Sequence, residues 1–348
     1  MKHDYEIFDI GEKMKNMTTL KISTIILLIL LSGISICSGS VEFTDSSGQK
    51  ITLSKPAERI ICLNSNIAET LVALGAGDKI VGLTETTLYD TALMKHIPKA
   101  MSIGEWQTPG IERILALKSD AVISYSSSKP KNSEQLTNAG IKLIYLDCYK
   151  FNTLEQDIKA VGTMIGAESK ADVYVSFLKK WKDIVISGTE NIFGDNIPSV
   201  YIEGYSDYSA QGKDSGIDNL MEIAKGKNLA AGLGEQWPKV TPEWVISENP
   251  DIIIKTASLK SDKNLARVRE NILTRTGFEV LDAIRNKQVY VINSNIIYGP
   301  RSPAGLVYLA KILHPEEFRD LNPADVLKEY AENFVPGVET GEYYSPDL

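Results

Sequence analysis

Between Ser169 and Ser187 the apolar residues Ala171, Tyr174, Leu178, Trp181 and Val185 step by three, four, three and four. That stripe predicts one amphipathic helix over 169–187, about 29 Å long at about 1.5 Å per residue. Ser169 with Asp172 makes a weak capping box at its start, and Gly166 closes a shorter helix over Thr153–Ile165. A helix of that length reaches across a small domain, so it can join two lobes and restrain their motion.

The segments on either side resemble one another. Val41–Leu53 reads as a hairpin turning at Asp45–Gly48, with Pro56 ending it. Buried strands follow at Arg59–Leu63 and in KIVGLT, separated by a helix over Asn66–Leu74 that Gly75 or Gly77 closes. A loop carrying Tyr89 and His96 leads to a helix opened by Thr108 and Pro109, then to a strand over Ala121–Tyr125. A helix over Asn132–Asn138 and a strand over Ile141–Asp147 complete the first half. After the long helix, Ser199–Tyr205 reads as a strand, and Thr241–Lys255 repeats the order found in Thr108–Ser124: Thr-Pro, a short amphipathic helix, then Asp opening an apolar strand. Gln288–Ser294 echoes the strand at 141–147, Ala304–Leu313 is a helix, helical pattern runs on to Phe334, and the tail from Pro336 reads as polar and loose. Strand and helix in alternation predict an α/β fold with mostly parallel sheets in two lobes, at 41–152 and 197–335, joined by linking helices over 153–190.

Length fits this division, since 348 residues with 43% hydrophobic side chains can bury a core in each of two domains. The N-terminus is set apart. Lys13, Lys15 and Lys21 precede an apolar run from Ile22 to Cys37, and Ser38, Gly39 and Ser40 follow. That order describes a targeting segment over 1–40, too short in its apolar part for a spanning helix of about 20 residues, and it predicts export to the periplasm or the outer face of the cell membrane. Asp4, Glu6, Asp9 and Glu12 suit such a segment poorly, which makes Met14 or Met17 an alternative start. Cys37 follows Ile36 rather than a small residue, so lipidation ranks below cleavage near Val41 or a retained membrane anchor.

Acidic side chains outnumber basic ones 45 to 37, a net charge of −8, which disfavours nucleic acid as a partner. Cys62 and Cys148 both fall at predicted strands, and two buried free thiols are favoured over a disulfide between them. Enzyme signatures are missing from the sequence: GAG at 75–77 lacks the spacing of a nucleotide-binding loop, and no GxSxG, HExxH or CxxC occurs. Beyond residue 40 the histidines are His96 and His314, too few for a His-rich metal centre.

Two α/β lobes leave a crevice at the carboxyl ends of their strands, where such sheets bind ligands. The candidates there are Tyr89, Trp106, Gln107, Tyr125, Ser126, Tyr205, Tyr208, Tyr298 and Arg301. Flat aromatic faces with a few polar anchors suit a large planar or chelate-like ligand bearing amides or carboxylates, and Arg301 could hold a carboxylate in a two-pronged hydrogen bond. The competing reading for any one tyrosine is packing at the edge of a core.

Taken together, FTDSSGQKITLSKPAERII, NIAETLVALGAGDKIVGLT, WQTPGIERILALKSDAVI and GPRSPAGLVYLAKILHP resemble, in that order, the binding proteins of the iron-siderophore and vitamin B12 class of ABC importers. The likeness spans about residues 42–330. It implies two Rossmann-like lobes joined by one long helix, a shallow cleft and little hinge motion. It further implies a non-enzymatic monomer without a cofactor of its own, which captures a cobalt corrinoid or ferric siderophore and delivers it to an ABC permease dimer with its ATPase. Haem or an oxyanion–metal complex ranks below these cargoes. WQTPGIERILALK is similar to the stretch whose tryptophan lines the corrinoid pocket in vitamin B12-binding members, which points to Trp106. Family members present one glutamate per lobe to permease arginines, and the matching positions are Glu112 in GIERI and Glu222 in DNLMEIAKG. Both would otherwise read as solvated helix carboxylates. The alternative is a secreted two-lobed enzyme acting on a nucleotide-sugar-like compound, with His96 and Glu203 as its acid/base pair.

Overall fold

The computed structural model describes residues 39–258, 264–338 and 343–346. The expected targeting segment, apart from Gly39 and Ser40, lies outside them. No helix among the described residues is long and apolar enough to cross a membrane.

A hairpin of β1 (Val41–Thr44) and β2 (Lys50–Leu53) leads into a five-stranded parallel sheet. Its strands are β3 (Ile60–Cys62), β4 (Ile80–Leu83), β5 (Met101–Ser102), β6 (Ala121–Ser124) and β7 (Leu143–Tyr145), in the order β5-β4-β3-β6-β7. The second sheet holds β8 (Ser199–Glu203), β9 (Lys227–Asn228), β10 (Ile252–Ala257), β11 (Val289–Asn293) and β12 (Tyr344–Ser345), in the order β12-β11-β10-β8-β9. All its pairs are parallel except β11 with β12. Strands β3, β6, β8, β10 and β11 are buried nearly throughout, as parallel strands covered on both faces must be. In each sheet the chain first runs to one side and then crosses to the other. Order reverses between β3 and β6 in one lobe and between β8 and β10 in the other, and these switch points open a crevice beyond the strand ends.

Thirteen α-helices lie among the described residues, beginning with α1 (Ser65–Ala73), α2 (Glu85–Leu88), α3 (Thr91–Met94), α4 (Ile111–Ala116) and α5 (Ser133–Asn138) in the first lobe. The link consists of α6 (Phe151–Ile165) and α7 (Glu168–Thr189). After it come α8 (Gly216–Ile223), α9 (Pro242–Glu248), α10 (Leu265–Leu273), α11 (Asp282–Arg285), α12 (Ser302–Leu313) and α13 (Pro323–Asn333). Helix α6 ends at Gly166, whose φ of 69° is the left-handed cap that a side chain would oppose. Helix α7 has 22 residues, about 33 Å at about 1.5 Å each, and buries the predicted stripe of Ala171, Tyr174, Leu178, Trp181 and Val185. It packs chiefly on α6 and α12 and also touches α8 and α13.

Alternation along the strands divides the core. Ile60 and Cys62, Val200 and Ile202, and Ile252 and Ile254 face inward and join Ile67, Leu178 and Leu306 in one cluster that runs through both lobes and the linking helices. Ile61 and Val122 form a separate outer cluster with Ile114, and Tyr201, Ile253 and Val289 form another with Phe278. Because the largest cluster is continuous, sliding one lobe against the other would open apolar packing.

Several boundaries differ from the sequence reading. Thr108 and Pro109 precede the helix they were expected to start, because the Gly110 N–H donates to the Ile103 carbonyl and α4 begins only at Ile111. The echo at Thr241 does open its helix, with the threonine hydroxyl accepting from the Trp244 N–H. The loop with Tyr89 and His96 contains α2, α3 and the edge strand β5. The expected strand at 199–205 ends at Glu203. The tail is not uniformly loose: Tyr343 is buried and Tyr344–Ser345 pairs with Val291–Ile292. Cys62 and Cys148 are free and buried.

Candidate functional site

Four rings run from one lobe to the other beyond the strand ends. Trp106, after β5, meets Tyr125, after β6, edge to face at 6.4 Å. Tyr125 meets Tyr149, after β7, in the same manner at 6.3 Å. Tyr149 stacks on Tyr298 of the second lobe, with centroids 4.7 Å apart and planes 22° apart. The Tyr298 hydroxyl accepts a hydrogen bond from Gln211 Nε2 at 2.8 Å, which fixes the ring at the far side.

This wall borders a cleft of about 610 Å³, completed by Tyr205 and Trp237, by Gln211 and Gln236, and by serines on both lobes. No lining residue carries a charge at neutral pH. Burial raises the phenol pKa values of Tyr125, Tyr205 and Tyr298 and pushes Tyr149 up to about 12, so the tyrosines stay neutral across the physiological range. Among the described residues no group of three or more His, Cys, Asp or Glu side chains could hold a metal. What the cleft offers is aromatic surface and neutral hydrogen-bonding groups.

On the other side of Tyr125, Tyr149, Tyr205 and Tyr298 lies a smaller chamber of about 200 Å³. Asn66, Glu69 and Asp90 of the first lobe and Ser294, Asn295 and Arg301 of the second line it.

Of the residues expected in the cleft, Trp106, Tyr125, Tyr205 and Tyr298 line it, and the others are placed elsewhere. Tyr89 is 75% exposed and borders neither cavity. Gln107 is exposed beside the wall, its carbonyl accepting from the Lys131 N–H. Ser126 turns both N–H and hydroxyl to Asp147, leaving Ser127 and Ser128 at the cleft. Tyr208 packs edge-on against Phe278 under the Arg275 guanidinium.

Arg301 differs most from its expected role. It is buried, and its Nε and Nη2 donate to the two oxygens of Glu69 at 2.6 and 3.2 Å while Nη1 donates to Tyr343 at 3.0 Å. Burial alone would lower its pKa, but the Glu69 carboxylate outweighs that and raises it. Tyr330 also donates to Glu69, at 2.7 Å. The guanidinium is therefore a clamp between lobes rather than an anchor for a ligand carboxylate. Beside it the Gly299 N–H donates to the Tyr149 carbonyl at 2.9 Å, and a Cβ at Gly299 would come within 2.8 Å of Asn66. With φ at 72° as well, only glycine suits that crossing.

The acid/base pair of the enzymatic alternative is not assembled. Glu203 is fully buried and bound by Lys255 at 2.8 Å and by both terminal nitrogens of Arg275 at 2.8 Å. Burial would raise its pKa, yet those cations hold it below the usual carboxylate range. His96 donates from Nε2 to the Pro336 carbonyl at 2.7 Å, and neither residue lines a described cavity.

Tyr149, Gln211, Gln236 and Trp237 escaped the sequence reading. Tyr149 follows β7 as Tyr125 follows β6, so the strand-end rule that selected Tyr125 reaches it too. Gln211 and Trp237 sit in the irregular stretches 204–215 and 234–241 on either side of α8 and β9, and isolated bridges from Glu203 to Ala210 and from Ser209 to Lys239 tie these stretches together.

Glu112 stands in the first turn of α4 and Glu222 in the last turn of α8, one on each lobe. Both are exposed, and neither side chain forms an ion pair or hydrogen bond with a described residue.

Comparison with known proteins agrees with this architecture. An ABC transporter substrate-binding lipoprotein of Bacillus subtilis, YvrC, is 28% identical over 288 residues, covering 80% of this chain and 87% of the relative. A cobalamin-binding protein of Halobacterium salinarum is 23% identical over 268 residues, 76% of this chain and 71% of the relative. The crystal structure of the TroA-like periplasmic binding protein FepB from Veillonella parvula shares the fold with a TM-score of 0.73 at 24% identity, covering 88% of this chain and all of that one. The sequence pattern of one family spans residues 60–296, and this chain thus belongs to the periplasmic binding proteins, which bind substrates for ABC transporters and are not enzymes.

Proposed function

We propose that the chain captures a metal chelate at the outer face of the cell membrane and hands it to an ABC permease with its ATPase, and that the chelate is a corrinoid. The observation that carries this reading is the uncharged aromatic wall from Trp106 to Tyr298. A tricatecholate ferric complex, a haem with its propionates or an oxyanion would call for free cations, and the larger cleft has none while Arg301 is matched by Glu69. A corrinoid carries its cobalt within the ring and presents carboxamides at its edge, so aromatic faces, serines and glutamines complement it without a protein ligand to the metal. The cobalamin-binding relative supports the same cargo. A ferric hydroxamate without net negative charge is the second reading, favoured by the same neutral lining.

Titrating cyanocobalamin, ferrichrome, a ferric catecholate and haem while following tryptophan emission separates these cargoes. Cyanocobalamin should bind with quenching, and Trp106→Ala should weaken it by about 1 to 3 kcal/mol through lost apolar contact. Selective binding of the catecholate or haem would overturn the neutral-cargo reading.

The docking role of Glu112 and Glu222 belongs to the same proposal. Glu112 suits the positive end of its helix, but Glu222 sits near the negative end of α8, where a carboxylate is unfavourable by roughly 0.3 to 1 kcal/mol. Helix stability does not favour a carboxylate there, which supports a partner's cation as its counterpart. The N-terminal segment would direct export and then be cleaved near Val41 or stay as a membrane anchor, and sequencing of the mature N-terminus separates the two.

A further inference from the structure

The chamber behind the tyrosines differs in chemistry from the cleft it adjoins. Glu69 and Arg301 neutralise each other, so Asp90 leaves the chamber with one net negative charge. Asp90 Oδ1 accepts from the Leu93 N–H, and Oδ2 has no protein partner among the described residues. Asn66, Ser294 and Asn295 add neutral acceptors and donors, while the only cation is already committed. At about 30 Å³ per liquid water, about 200 Å³ equals roughly six or seven waters. That is room for a short side arm and not for a ring. Of the four tyrosines shared with the cleft, Tyr205 is 55% exposed and stands at the mouth.

We propose that this chamber is a second subsite of the cleft, which takes one donor-bearing arm of the cargo with no negative charge, namely a side-chain carboxamide of the corrinoid. The inference rests on the corrinoid reading of the cleft. A carboxamide NH₂ can donate to Asp90 Oδ2 and its oxygen can accept from an asparagine amide or a serine hydroxyl, whereas a carboxylate there would face Asp90 with no free cation to offset it. The chamber would thereby select one of the several carboxamide arms at the edge of the macrocycle and so set its rotation in the cleft.

Cyanocobalamin and its three monocarboxylic acids, each with one propionamide hydrolysed, provide the test in the full chain at pH 7.5. One of the three acids should bind at least tenfold more weakly than cyanocobalamin and the other two within threefold of it. Asp90→Asn should recover most of that selective loss, and Asn295→Phe, a change at an exposed position that fills the chamber, should weaken cyanocobalamin at least tenfold with an unaltered melting temperature. Three acids that bind alike, with Asp90→Asn and Asn295→Phe within twofold of wild type, would overturn the subsite while leaving the corrinoid reading in place. No binding of cyanocobalamin at micromolar concentration would overturn that reading and the subsite with it.

Discussion

Removing either partner of the Arg301–Glu69 pair leaves a full charge inside the lobe junction, with Tyr330 and Tyr343 arranged around a partner that is gone. Breaking such a pair on one side costs about 3 to 5 kcal/mol, whereas replacing both partners with apolar groups of similar volume costs far less. Arg301→Met and Glu69→Leu should therefore each lower the denaturant midpoint sharply, and the double variant should be more stable than either. Additive losses in urea melts would show that the two residues act separately. The pair also illustrates what single residues conceal. An arginine near a strand end is a sound carboxylate anchor by chemistry, but Glu69 lies 232 positions away in sequence, and nothing in either stretch announces the contact. Tyr125 and Tyr298 were legible because they follow strands whose apolar runs are plain, and Trp106 because WQTPGIERILALK resembles a known pocket-lining stretch. Trp237 was not, since its approach to the cleft depends on an irregular excursion rather than on any period.

Among the elements, α6 does more than link lobes, because its Asp157 ties down the hairpin and the end of β7. The carboxylate accepts from the Ser46 hydroxyl at 2.7 Å and from the Cys148 N–H at 2.9 Å, one residue before the cleft's Tyr149. Burial pushes its pKa up to about 6, above the ordinary 3.8, despite those two hydrogen bonds. A folded-state pKa above the unfolded one means that the protonated carboxyl is favoured by folding. Its contribution is fully present below about pH 4 and lost as pH rises through about 6, an effect of roughly 3 kcal/mol for two units. Asp157→Asn should remove that segment of the stability-versus-pH curve, flattening it between about pH 4 and 6 relative to wild type in chemical denaturation. An unchanged slope would mean that Asp157 titrates at an ordinary value. The elements themselves were readable where period and burial agree. The α7 stripe is buried as its spacing required, and the strands buried on both faces appear as apolar runs. Two-residue strands such as β5 and β12 carry no period of their own and exist only through pairing with β4 and β11.

For the whole molecule, a core that is continuous through both lobes, together with the Gly299 crossing and the Arg301 clamp, ties the relative placement of the lobes to the protein's stability. Glu112 and Glu222 then stand at a set separation, and on the proposed docking role a two-fold permease would read that spacing with one cation for each carboxylate. Each charge-assisted contact is worth about 1.5 to 3 kcal/mol if docking removes water from it, and much less at a wet rim. Losing both desolvated contacts would weaken docking by roughly two to four powers of ten. Glu112→Ala/Glu222→Ala should accordingly bind cyanocobalamin as wild type does, since neither residue lines the cleft, while docking to the reconstituted permease far more weakly. The wild-type complex should weaken between low and high salt more than that of the double variant, because the screened charges are present in only one of them. Equal docking of the two proteins at both salt concentrations would return these carboxylates to the solvated surface. A loss of cyanocobalamin binding in the double variant would place them in the cargo site instead.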